Sequence, residues 1–207
     1  MKGINPHQIT EDFEAALCQY TGAKYAVAVN SCTMALLLAS AYCLRRSETK
    51  TITIPSRTYV SVPMSIIHAG GKVDFEDLTW YGHYQLKPFP IYDYARQFTS
   101  FMYEAGQFQC VSFHWTKTLG IQQGGAILHD NEYADAWFRK ARFDGRTEGV
   151  PPNKDDFKMI GWHCYMSPEV AAQGLMRLSF LPNYNHPLPN DDYPDLSTFP
   201  IFYDNPV

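Results

Sequence analysis

The residues with the most chemistry lie in one stretch, Cys110-Val-Ser-Phe-His-Trp-Thr-Lys-Thr-Leu-Gly, followed by Gln122-Gln-Gly-Gly-Ala-Ile-Leu. An apolar strand delivers Ser112, and a loop delivers Lys117 five residues later. A lysine attacks a carbonyl or accepts a proton only as the neutral amine, so it needs burial or nearby positive charge to lower its pKa. Most lysines are solvated surface residues. What sets Lys117 apart is its context, a strand before it and Gly124-Gly125 leading into another strand after it.

Further groups elsewhere in the chain suit the same chemistry. Asn30-Ser31-Cys32-Thr33 stands between a short apolar run and a strongly helical one. A helix starting there presents unpaired N–H groups and a positive dipole end to an anion such as phosphate, and the hydroxyls of Thr33 and Ser112 add donors. Ser31 or Asn30 equally suits the plain role of a helix N-cap. Asp93 ends a strand in Tyr92-Asp93-Tyr94-Ala95-Arg96-Gln97, a position where aspartate also serves as an ordinary turn residue. Tyr59, in Pro55-Ser56-Arg57-Thr58-Tyr59, is a candidate for stacking on a flat ligand, against the commoner role of an aromatic in the core. His163, in Gly161-Trp162-His163-Cys164-Tyr165-Met166, can donate to phosphate, although a lone histidine is more often an ordinary structural or surface residue.

Taken together, these segments resemble the DegT/StrS-type sugar aminotransferases, a branch of the fold-type I enzymes that use pyridoxal 5'-phosphate (PLP). The family motif runs Ser-Phe, a few residues, Lys, then Gly-Gly before an apolar strand, and Ser112, Phe113, Lys117, Gly124 and Gly125 match it. Phe13-Glu14 and the run from Tyr20 to Leu36 resemble the family's first helix, first strand and phosphate-binding turn, with Cys32 in place of the usual glycine. The likeness extends roughly from Ile9 to Leu181 in one order along the chain.

The resemblance implies that Lys117 holds PLP as a Schiff base and serves as general acid and base, and that Asp93 binds the pyridine nitrogen. Ser31, Cys32, Thr33 and Ser112 would surround the phosphate, and Tyr59 would stack on the ring. Arg96 stands where the family usually has Gln or His, beside the cofactor's O3'. His163 stands where a neighbouring subunit supplies an asparagine to the phosphate, which implies a homodimer with shared sites. The implied activity is amino transfer from an amino acid, glutamate first among donors, to a keto-sugar nucleotide. A PLP-fold binding or assembly module without turnover, and a PLP enzyme of another reaction type such as a dehydratase or decarboxylase, are the alternatives.

The elements that must position these groups alternate. Ile9–Tyr20 has apolar residues at helical spacing, with Thr10 as its cap and Gly22 as its stop. Lys24–Val29 predicts a strand, Thr33–Arg46 a helix, Thr51–Ile54 a strand, a helix to His68, and Lys72–Phe75 a third strand. Phe89–Tyr92, Gln109–Phe113 and Gly125–His129 predict more strands, and Tyr133–Phe143 and Pro168–Leu181 predict helices. The alternation predicts an α/β three-layer sandwich with a mostly parallel sheet, the large domain of the type I PLP transferases, over residues 1–181. Only 18 residues separate Asp74 from Asp93, where the family places another helix and strand. From Pro182 the chain is rich in Pro, Asn, Asp and Tyr and predicts an extended tail over 182–207, to which the family's C-terminal domain is strongly reduced.

Composition fits a folded enzyme. The 207 residues include 45% apolar and 18% charged residues, with 4 Trp, 14 Tyr and 13 Phe, unlike a disordered chain. A net charge of -4, with Arg45-Arg46 the main pairing of cations, predicts no nucleic-acid partner. Neither a signal peptide nor a membrane span is predicted. Five irregularly spaced cysteines without a CxxC pair predict no zinc site or disulfide framework and a reducing, cytoplasmic setting.

Overall fold

The computed structural model describes residues 5 and 7–203. Its elements run α1 (Gln8–Thr21), β1 (Tyr25–Val29), α2 (Cys32–Leu44), β2 (Thr51–Pro55), α3 (Ser61–His68), β3 (Lys72–Glu76), β4 (Tyr84–Leu86), β5 (Ile91–Asp93), β6 (Phe108–Ser112), β7 (Gly125–His129), α4 (Glu132–Arg142) and α5 (Pro168–Leu178).

Three layers follow from the side-chain pattern of the central strands. Alternate residues of a strand face opposite sides. Val27 and Val29 of β1 join Cys110 and Ile127 against α2 and α4, whereas Ala26 and Ala28 join Val111, Ala126 and Leu128 against α1 and α5. Both faces of the sheet are therefore apolar, which explains why β1 reads as a continuous run instead of an alternating one. Helix α2 is buried along nearly its whole length, from Ala35 to Leu44, as an all-apolar helix must be. Helix α1 buries Phe13 and Leu17 and ends at Gly22, whose φ of 83° closes the last turn by a bond from its N–H to Cys18 O. Thr10 lies inside this helix, and His7 takes the N-cap position without a side-chain cap.

The sheet departs from expectation in its pairing. The order is β1-β7-β6-β5-β4, with β2-β3 as a second, two-stranded sheet. Of the four pairs in the larger sheet only β5–β6 is parallel; β1–β7, β6–β7 and β4–β5 are antiparallel. The sheet is thus mixed, not mostly parallel. Connectivity gives the reason: parallel neighbours need a crossover, and two connections here lack one. The Lys117 loop joins β6 to β7 without a helix, and Lys87-Pro88-Phe89-Pro90 joins β4 to β5 as a short turn. Parallel β2 and β3 are joined by α3, and an antiparallel bridge between Thr53 and Lys87 links them to the end of β4. Strand β5 starts at Ile91, not Phe89, because the amide of Phe89 turns back to Leu86 O. The stretch between Asp74 and Asp93 supplies one short strand, β4, and no helix.

A buried ionic cluster ties α1, β1 and α4 together. Glu14 Oε2 accepts from Arg139 at 2.7 Å, while Oε1 accepts from Arg142 and from the Ala28 amide. Arg142 also donates to Ala28 O and to Glu148. The two arginines hold the Glu14 carboxyl below its ordinary value even though burial, the largest single influence, pushes it up. Among the described residues beyond α5 there is no helix or strand apart from short 3-10 turns at Leu196–Thr198 and Pro200–Phe202. Leu196 and Phe202 are buried.

Candidate active site

Strands β1, β5 and β6 run in the same direction, and their C-terminal ends open on one cavity. This is the usual place for a site in an α/β sheet. The cavity has a volume of about 340 Å³, and Ser31, Cys32, Thr33, Tyr59, Asp93, Arg96, Ser112 and Lys117 all line it. His163 does not. It stands apart, paired through Nδ1 with Asp144 at 2.9 Å and largely exposed.

Asp93 is fixed by two hydrogen bonds. As the last residue of β5 it is buried, with Oδ1 accepting from the Ala95 amide at 2.8 Å and Oδ2 from the Tyr84 hydroxyl at 2.9 Å. Tyr84 lies directly opposite Asp93 in the β4–β5 register, and its hydroxyl lies 2.6 Å from Thr58 Oγ1. Burial raises the Asp93 carboxyl above its ordinary value; the bonds from Ala95 and Tyr84, and then the nearby charges of Lys117 and Arg96, act against that. No ion pair reaches Asp93 among the described residues. A buried carboxylate with no cation in direct contact is costly, so the position fits a cationic ligand group such as a protonated ring nitrogen.

Lys117 is half-buried in the turn after Phe113, with its amide donating to His114 O at 2.8 Å. Burial first, and the Arg96 guanidinium second, lower its pKa, with Asp93 and Asp191 pulling the other way. That is the direction a nucleophilic or proton-accepting amine requires. The turn is anchored by buried Phe113, Leu119 and Ile121 and by bonds from Phe113 N to Gly124 O and Ile121 N to Phe113 O.

The N-terminus of α2 faces the same space. Ser31 is its N-cap and accepts from the Met34 amide at 3.2 Å. Thr33 Oγ1 lies 2.7 Å from Ser61 Oγ, so α2 and α3 bring two hydroxyls together beside the helix end. Gly125 lets α2 come this close to β7: a Cβ there would lie 2.5 Å from Cys32 N and 2.7 Å from Val111 O. Cap and anion-site geometries coexist, since the cap engages the Met34 amide and leaves those of Cys32 and Thr33 without a side-chain partner among the described residues.

Sequence reasoning missed three residues of the site. Tyr84 belongs to a strand that alternation alone did not reveal. Asp191 and Tyr193 come from the tail and line the cavity at Arg96, where Asp191 forms an ion pair with the guanidinium and the Tyr193 hydroxyl accepts from Arg96 Nε at 3.2 Å. Nothing in their local sequence signals this, because the contacts span roughly a hundred residues.

The family model for DegT/DnrJ/EryC1/StrS aminotransferases matches residues 4–89 and 102–186, which is most of the chain. The chain belongs to this aminotransferase family. A curated relative from Campylobacter jejuni, UDP-4-amino-4,6-dideoxy-N-acetyl-beta-L-altrosamine transaminase, is 25% identical over a region covering 82% of this chain and 56% of the relative. Among solved structures, AtS13 from Actinomadura melliaura superposes with a TM-score of 0.73 at 18% identity, covering 84% of this chain and 60% of AtS13. NtdA from Bacillus subtilis, solved with the cofactor PMP bound, gives a TM-score of 0.67 at 19% identity, covering 84% of this chain and 48% of NtdA. At such identity these structures establish the shared fold. This DegT/StrS-family chain spans little more than half the length of the curated relative. Asp93 and Arg96 fall between the two matched segments and Asp191 lies beyond them, so it is their positions in the cavity that tie them to Lys117.

Proposed function

We propose that this chain binds PLP and transfers an amino group from an amino acid, glutamate first among donors, to a keto-sugar nucleotide. One observation carries the reading: a lysine of lowered pKa and a buried aspartate without a salt bridge line the same cavity as the start of a buried helix. Family membership supports it, and so does the transaminase activity named for the Campylobacter relative. When bound, PLP supplies an aldehyde and a protonated ring that draws electrons from the carbon losing its proton.

In this reading Lys117 would hold the cofactor and, once released, would take the proton from the substrate's α-carbon as general base and give it back as general acid. Asp93 would keep the ring nitrogen protonated and gain a cation in direct contact. The first amides of α2 and the hydroxyls of Thr33 and Ser112 take the phosphate, with Ser31 and Cys32 shaping the turn. Tyr59, at the cavity wall, covers the ring face, and Arg96 lies at its edge.

The reading extends to the assembly and its setting. His163, exposed and off its own cavity, is assigned to the phosphate of a second copy, which makes the active form a homodimer with shared sites. The five cysteines are all free, in keeping with a reducing, cytoplasmic setting. Among the described residues no helix is long and apolar enough to cross a membrane.

The test is spectroscopic. Wild-type protein mixed with PLP develops a visible absorption band that borohydride abolishes, and Lys117→Ala develops none. A wild-type protein without that band defeats the reading.

A further inference from the structure

We propose that Arg96 is a carboxylate-binding residue of this cavity and that Asp191, on the tail, is its built-in occupant, displaced when a small dicarboxylate enters. The proposal deepens the reading above by naming how the amino donor is gripped, and it rests on that reading for the donor's identity.

Arg96 is the only arginine among the residues lining the cavity, which it shares with Lys117. A guanidinium stays charged throughout the accessible pH range, and its planar fork matches the two oxygens of a carboxylate. Buried without a counter-charge it would be costly. The tail supplies that charge. Asp191 Oδ2 meets Arg96 Nη2, the Tyr193 hydroxyl accepts from Nε at 3.2 Å, and the same hydroxyl donates to Asp191 Oδ2 at 3.2 Å.

The two halves of the ion pair are unequal. Arg96 exposes 7% of its side chain, whereas Asp191 exposes 69%. The receptor is part of the cavity wall; the occupant lies on a surface segment with no helix or strand between Pro182 and Asp195. The backbone of this segment is held on both sides of Asp191, by Leu188 N to Arg96 O, Tyr81 OH to Pro187 O, Asn190 Nδ2 to Trp80 O and Arg57 Nη1 to Tyr193 O, with Tyr193 packed parallel to Trp80 at 6.3 Å, so it is the exposed Asp191 side chain, not the whole segment, that is free to turn away. An incoming carboxylate replaces Asp191 like for like, without leaving the buried guanidinium unpaired at the end of the exchange. Asp191 therefore sets a threshold, since the binding-competent fraction is the fraction with the Asp191 side chain turned away from Arg96.

Succinate, which has the two carboxylates and no amine, is the probe, with its dimethyl ester as the uncharged control. Calorimetric titration uses the full chain, with and without PLP, and PLP binding is read separately by absorption on the same samples. Succinate binds and the ester does not; Asp191→Asn tightens succinate binding by roughly tenfold, as removal of a competing internal ligand requires. Arg96→Lys, which keeps the buried charge, and Arg96→Gln both weaken it by roughly tenfold or more. Unchanged or weaker binding in Asp191→Asn overturns the proposal, and so does wild-type affinity in both Arg96 variants. Asp191-dependent succinate binding in a protein that never takes PLP would leave this inference standing and remove the aminotransferase reading. A PLP-binding protein with no Asp191 dependence would do the reverse.

Discussion

Tyr84 and Asp93 face each other across two strands, and the hydroxyl of one holds the carboxylate of the other. Tyr84→Phe removes that donor while keeping the ring, so a buried acceptor loses a partner at a cost of about 1–3 kcal/mol. Asp93 then titrates higher still, and PLP affinity falls on titration while the fold survives by circular dichroism. Asp93→Asn leaves a polar contact but no charge; the protein is expected to retain PLP and to lose proton abstraction, read by exchange of the substrate's α-hydrogen. A second buried group predicts a pH effect. His129 lies among the rings of Tyr25, Phe108 and Phe138, and burial holds its pKa down to about 4 from the ordinary 6.5. The unfolded chain therefore takes up a proton below pH 6.5 that the folded chain refuses until about 4. Stability falls across that window by about 3 kcal/mol from this residue and no further below it. His129→Phe flattens that part of the slope in urea melts, and an unchanged slope removes the residue from the account.

At the scale of elements, the Glu14 cluster and Gly125 hold the site's supports in register. Glu14→Gln leaves two arginines facing a neutral side chain, one of them fully buried, and is expected to cost about 3–5 kcal/mol in denaturant unfolding. Gly125→Ala pushes a methyl group against the Cys32 amide; it costs at least about 1–3 kcal/mol and shifts α2 away from β7, which weakens PLP binding as well. The helices and most strands were legible because their apolar spacing and stops are local. Gly22, for example, announces the end of α1 by its need for a positive φ. The direction of β7 was not legible from periodicity, which is the same for parallel and antiparallel strands when both faces are buried. Only the missing crossover between Ser112 and Gly125 carries that information. Likewise β4 is too short to alternate visibly, so Tyr84 went unnoticed, while Ser112, Lys117 and the glycine pair stood out because their chemistry is written within one short segment.

The whole molecule brings together groups from distant parts of the chain, and the tail returns across the cavity they form. Asp191 could not be foreseen as part of it, because an ion pair to Arg96 is a property of the folded path and not of any local pattern. The proposed shared-site dimer makes a prediction at this scale: mixing Lys117→Ala and His163→Ala subunits restores PLP affinity in part, since some hybrid dimers would hold one intact site. Two parents whose mixture stays as weak as either alone, or a PLP-binding monomer by light scattering, would discard the dimer. Lastly, Ser112 and Gly125 face each other across the β6–β7 ladder, so the twelve residues between them leave and rejoin the sheet at a single point. Such a loop is a cassette. Provided the apolar anchors Phe113, Leu119 and Ile121 are kept, the reactive segment can be rewritten in sequence without asking any strand to change its neighbour, so the scaffold can outlast the chemistry it carries.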